Sequence, residues 1–133
     1  MTAVVGAVYE LPLPLLPRQW NGTPVPPLSA NDRFHWRKEA QLKRLVRHKA
    51  KTAAEHLGAC GHLRVQLHYA TGDNRGRRDP ANLCATSKPA IDGLVDAGLV
   101  PDDNPEFVTE LMPVIHLGAD LPRRLWLELE VTA

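Results

Sequence analysis

Six prolines fall between Pro12 and Pro27, and the residues that follow from Arg33 to Leu57 contain neither proline nor glycine. Each proline lacks a backbone donor and fixes φ, so 12–28 cannot be a helix or a central strand and reads as an extended surface connection. The proline-free run predicts one long helix. Ser29-Ala30-Asn31-Asp32 offers several N-caps, and Gly58 supplies a stop. Leu42, Leu45, Val46, Ala50, Ala53 and Leu57 recur at helical spacing and are expected to face the core.

The remaining elements must fit around that helix. Residues 3–11 are apolar and β-branched and predict a first strand. From His62 to Tyr69 apolar and polar residues alternate, which predicts a half-buried strand, antiparallel to the first, with His62 and His68 exposed on its polar side. Residues 71–78 form a polar loop. Asp79-Pro80 is a favourable helix start, with aspartate at the N-cap and proline at the first helical position. Pro89 is expected to interrupt that helix, giving a short turn over 80–85 and a fresh helix from Ser87. The apolar face of the second piece is Ile91, Leu94 and Val95, and Gly98 closes it. Residues 100–105 read as a turn. Residues 107–117 read as a strand that Pro113 confines to an edge or a bulge, and 125–131 as the last strand. Strands and helices mix without regular βαβ alternation. The expected class is α+β: a small, mostly antiparallel sheet of about four strands, with one long and one or two short helices on one face. The 133 residues and 14.7 kDa suit one domain spanning 1–133.

Several functional classes are set aside at once. No apolar run approaches the roughly 18 residues of a membrane span, and the N-terminus lacks the basic start of a secretory signal, so a cytoplasmic protein is expected. Cys60 and Cys84 show no partner spacing, and a reducing compartment fits them. The six histidines form no His-x-x-x-His pair, so no zinc site is expected. The net charge of +1 hides a strong asymmetry. Residues 1–78 hold 13 Lys and Arg against 5 Asp and Glu, whereas 79–133 hold 3 against 10.

Reactive residue types are densest from Arg77 to Asp103. Lys88, Asp92 and Asp96 are spaced four apart and share one helix face, where the two aspartates repel weakly. Asp96 also lies near the helix C-terminus, where an anion is unfavourable. Asp102 and Asp103 come just beyond. A divalent cation or a basic partner would relieve this crowding of carboxylates. A carboxylate pair with a lysine suits metal-assisted phosphodiester cleavage: Mg²⁺ takes hard oxygen ligands, and a lysine offsets charge developing on the phosphorane. The bland alternative is a solvated acidic helix face leading into an acidic turn.

Asn31-Asp32-Arg33-Phe34-His35-Trp36, then Arg78-Asp79-Pro80-Ala81-Asn82, then Lys88 with Ile91-Asp92-Gly93-Leu94-Val95-Asp96-Ala97-Gly98, then Asp102-Asp103, stand in a characteristic order. Over roughly residues 29–131 the chain resembles the RusA-like Holliday-junction-resolving endodeoxyribonucleases of bacteria and phages, and 78–103 is the specific part. The resemblance implies a RusA-like fold and a homodimer that binds four-way DNA junctions. It further implies symmetric nicking with Mg²⁺, Mn²⁺ being an alternative, in recombination and repair. By motif, Asp79 matches the first catalytic aspartate, Asn82 the following asparagine, Lys88 the lysine that assists at the phosphate, and Asp103 the last metal-binding aspartate. Asp92 falls on the aspartate of the helix after the lysine. Two departures stand out. The pattern Asp-x-Asp-Asn is here Asp79-Pro80-Ala81-Asn82, and the stretch between Asn82 and Lys88 is longer. Either Asp92 or Asp102 is then needed to complete the metal set.

The long helix adds a basic stripe. Arg33, Arg37, Lys38, Arg44, Arg47, His48 and Lys51 recur three or four apart with few opposing acids, a pattern that can follow a phosphate backbone or be a solvated face. Asn31, Arg33, Arg37, Lys38, Arg44, Arg77 and Arg78 are the expected DNA-binding residues. His35 and Trp36 either stack on a base or sugar or pack on the sheet. The leading expectation is a branched-DNA endonuclease. The competing one is a non-catalytic branched-DNA-binding protein on the same scaffold, degenerate at Ala81. A ribonuclease or general flap nuclease is a weaker third.

Overall fold

A computed structural model describes residues 4–17, 22–75 and 78–132. Strand β1 (Val8–Leu13) is followed by two short strands, β2 (Leu16–Pro17) and β3 (Pro24–Val25), which pair only with each other. Helix α1 (Trp36–Ala54) and strand β4 (His62–Ala70) come next. A 3-10 turn (Pro80–Leu83) then runs directly into helix α2 (Cys84–Asp96). Strands β5 (Val108–His116) and β6 (Arg124–Thr132) complete the chain. The sheet order is β1-β6-β4-β5, antiparallel except for the parallel pair β4–β5. The fold is therefore α+β with a four-stranded, mostly antiparallel sheet and both helices on one face.

The alternation of β6 explains the layers. Leu125, Leu127, Leu129 and Val131 are buried and meet Leu63, Val65, Leu67 and Tyr69 of β4, whose outward neighbours are polar. Val46 and Ala50 of α1 and Ile91 and Leu94 of α2 fill the space above them. The proline constraint acts as expected: Pro12 sits on an edge strand, and among the described residues the rest of the segment forms only the small β2–β3 ribbon. Pro113 likewise lies on the edge strand β5, at a bulge where the register against β4 shifts between Gln66 and His68.

Four expectations need correction. Strand β4 does not pair with β1, because the C-terminal strand β6 inserts between them. Helix α1 begins at Trp36, not at Arg33: His35 is the N-cap, its Nδ1 accepting from the Arg37 N–H at 3.2 Å, while the Ser29–Asp32 caps close their own turn. Pro89 does not restart the helix. Helix α2 is continuous through it from Cys84, the 3-10 turn having already set the helical direction. His68 faces outward but is buried, its ring stacked 5.0 Å from Trp126 and 5.2 Å from His116. Burial pushes its pKa down, with Glu128 opposing that shift.

The two helices meet closely. A Cβ on Gly93 would fall 2.3 Å from the Arg47 carbonyl oxygen and 2.9 Å from the Ala50 Cβ, so only glycine allows this approach. Helix α2 ends in a Schellman motif, with Gly98 at φ +84°, the Leu99 N–H donating to the Leu94 carbonyl and the Gly98 N–H to that of Val95. Among the described residues no helix is long and apolar enough to cross a membrane.

Candidate nucleic-acid site

The segment before α1 is anchored from two sides. The buried Thr86 hydroxyl of α2 donates to the Leu28 carbonyl at 2.6 Å and accepts from the Leu28 N–H at 3.2 Å. The Ala30 N–H donates to the Asn82 carbonyl in the 3-10 turn at 3.0 Å. These bonds bring Asn31, distant in sequence, beside Asp79 and Asn82. All three line a cleft of about 860 Å³, with Lys38 of α1 and Arg78 on its walls. Residues 29–34 form a wall between it and a second cleft of about 530 Å³, which Arg33, Arg44, Lys88 and Asp92 line.

Asp79 performs the predicted cap: its Oδ1 accepts from the Ala81 N–H at 3.0 Å. Arg78 is held by Asp73 through two bonds of 2.7 and 2.9 Å, which keeps the Asp73 carboxyl well below the usual carboxylate range and raises Arg78. Arg33 donates to the carbonyls of Asn31 and Asp32. Lys38 and Arg44 are exposed. Arg37 stands 5.2 Å from the ring centre of Trp36. Arg77 lies outside the described residues.

Lys88 reaches Asp103 and, at 3.3 Å, Asp92. The bond to Asp103 is the main cause of a raised Lys88 pKa and a lowered Asp103 pKa, so both remain charged over the neutral range. The two carboxylates therefore converge on one cation. Asp102 is otherwise engaged: its oxygens accept from the Asp103 N–H at 2.7 Å and the Asn104 amide at 3.1 Å. Asp96 turns to α1, accepting from Arg47 Nε and Nη2 at 2.5 and 2.8 Å. Hard oxygen donors on a shared cation suit Mg²⁺, which needs only one or two carboxylates with water and phosphate oxygens. Asp92 fits the role of completing the set better than Asp102 does. Among the described residues, however, no three His, Cys, Asp or Glu side chains gather closely enough to hold a metal ion.

Two residues of this neighbourhood are not evident in the sequence. Glu110 pairs with the buried Val65 in the β4–β5 register, which puts it on the helix-bearing face of the edge strand. Partial burial of its carboxyl raises its pKa, with Asp103 adding to the shift and Lys88 opposing it, although the residue as a whole is exposed. Arg123, just before β6, lines the larger cleft and donates to the Tyr69 hydroxyl at 3.4 Å. No protein-family model and no curated protein matches this chain.

Proposed function

We propose that this protein is a Mg²⁺-dependent, structure-specific DNA endonuclease that acts on four-way junctions or other branched DNA as a homodimer, in recombination and repair. One observation carries the reading. Asn31 and Lys38 lie far in sequence from Arg78, Asp79 and Asn82, yet all five line one cleft. Across a shared wall, Lys88 is held between two carboxylates.

The cations of the larger cleft bind phosphates, with Arg78 oriented by Asp73. Lys88, kept protonated by Asp103, supplies positive charge where the phosphorane becomes more negative. Asp103, kept ionised by Lys88, supplies oxygen donors with Asp92, and Asp79 presents its carboxylate from the larger cleft, across the shared wall. When bound, Mg²⁺ lowers the pKa of an attacking water and polarises a phosphoryl oxygen. In a two-fold dimer two such sites face one junction.

The test is nicking of a synthetic four-way junction with and without Mg²⁺. Asp79→Asn is expected to abolish Mg²⁺-dependent nicking while junction binding stays intact; full cleavage by that variant sinks the assignment. A second reading, a non-catalytic binder of branched DNA, is favoured by the lack of a third converging ligand among the described residues. It predicts junction binding by the wild type without cutting in Mg²⁺ or Mn²⁺.

A further inference from the structure

Trp36 is 66% exposed, in a molecule whose other described tryptophan, Trp126, is stacked against His68 and His116. A tryptophan usually loses most of its surface on folding, and leaving one open forgoes much of the stabilisation that its burial would bring. Its surroundings are not those of a chance exposed side chain. The His35 ring lies 5.6 Å away at 30° to it, and the Arg37 guanidinium stands 5.2 Å from its centre. Arg33 and Lys38 flank the pair in sequence, and no acid falls between residues 33 and 38. The nearest acids in sequence are already engaged: Asp32 accepts from the Ser29 N–H at 2.8 Å, and Glu39 pairs with Lys43 at 3.4 Å. An exposed indole with a guanidinium over one face and further cations beside it in sequence is complementary to a nucleobase with its phosphates.

We infer that Trp36 is a stacking platform for an unpaired base, and that it lets the protein distinguish branched DNA from linear duplex; this rests on the DNA-binding reading above. Bases within a duplex have both faces covered by their neighbours. At a branch point pairing is most easily opened, and a freed base can reach a side chain. Residues 29–34, the wall shared by the two clefts, lead directly through His35 into Trp36. Phe34 lines both clefts and Lys38 the larger one, so Trp36 stands in the chain between two cleft-lining residues. Stacking tolerates any base, because each has a π-face, so the discrimination is one of DNA structure and not of sequence.

The experiment measures binding by fluorescence anisotropy at one salt concentration. It uses full-length wild type, Trp36→Ala and Trp36→Phe, with a four-way junction, a fork bearing single-stranded arms and a blunt duplex. Trp36→Ala is expected to weaken junction and fork binding about tenfold and to leave blunt-duplex binding unchanged, whereas Trp36→Phe keeps most of the affinity. Thermal midpoint and sedimentation mass should match the wild type. Unchanged junction and fork affinity in Trp36→Ala overturns the inference, as does an equal loss on all three DNAs. A fall in sedimentation mass also overturns it, because the ring would then belong to a contact between copies. Failure of the wild type to bind any of the DNAs overturns the DNA-binding reading and this inference together. Binding of branched DNA that ignores Trp36→Ala overturns this inference alone.

Discussion

At its C-terminal end α2 is fastened to α1, while at its N-terminal end it presents a cation between two acids. Asp96 receives the Arg47 guanidinium through two parallel bonds, one turn beyond Gly93, where the helix backbones come closest. Asp92, four residues earlier on the same face, receives the ammonium of Lys88 instead, and shares it with Asp103 from the following turn. A planar guanidinium fixes the geometry of its carboxylate partner, whereas an ammonium is a point charge that its partners can exchange for another cation. Two aspartates at equivalent helical positions thus have different partners, one joining the helices through Arg47 and one sharing an ammonium with Asp103.

The largest expected effect comes from breaking the fastened end. In Gly93→Ala the new methyl meets the Arg47 carbonyl and the Lys51 N–H of α1, backbone atoms that cannot rotate away. Overpacking of this kind costs about 3 kcal/mol. Better helix propensity returns about 1 kcal/mol. The net loss is therefore expected to be about 2 kcal/mol, read by urea denaturation. A variant as stable as the wild type would show that the helices separate freely and that this end is not fastened.

Asp96→Asn tests the ion pair alone. The pair is partly exposed, so its loss is expected to cost about 1 kcal/mol at neutral pH. The pH dependence has a definite sign. The Arg47 bond lowers the Asp96 pKa in the fold, so the contribution is complete above the unfolded value near 3.8 and disappears as pH falls through the lower folded value. The gap between wild type and variant should accordingly close in acid. Nicking should be unaffected; a loss of activity in Asp96→Asn would place the fastened end in the functional site.

These different fates explain what could be read in advance. The Asp79-Pro80 start, the Gly98 stop and the confinement of Pro113 to a bulged edge are local chemistry, and each stands where the residue type requires it. The strand order was not readable, because β6 enters from the far end of the chain to separate β1 from β4. Glu110 was hidden by the bulge itself: β4 spends two residues from Gln66 to His68 while β5 spends three from Leu111 to Val114, so simple alternation along β5 loses track of its faces. His68 was assigned to the correct face and the wrong environment, since Trp126 and His116 come from two other strands to cover it. The acidic cluster was legible as a cluster, but which carboxylate pairs with which cation depends on helix packing.

The smallest expected change in stability lies at the open end, where the proposed function predicts the greatest loss of activity. Lys88 is largely exposed, and ion pairs of this kind contribute little, so Lys88→Met should change unfolding free energy by only about 0.5 kcal/mol. Removing the ammonium leaves Asp92 and Asp103 without their shared cation. If the pair is built to hold one, added Mg²⁺ should raise the thermal midpoint of Lys88→Met more than that of the wild type, in which the lysine competes for the same oxygens. At a Mg²⁺ concentration ten times the dissociation constant the gain is about 1.4 kcal/mol, within reach of scanning calorimetry with a chelator control. The proposed function further predicts that the same variant loses nicking, because it lacks the charge assigned there to offset the phosphorane. Identical Mg²⁺ responses in the two proteins would mean that the aspartates serve only to hold Lys88. The two ends of α2 would then differ in strength and not in kind, and the non-catalytic reading would gain.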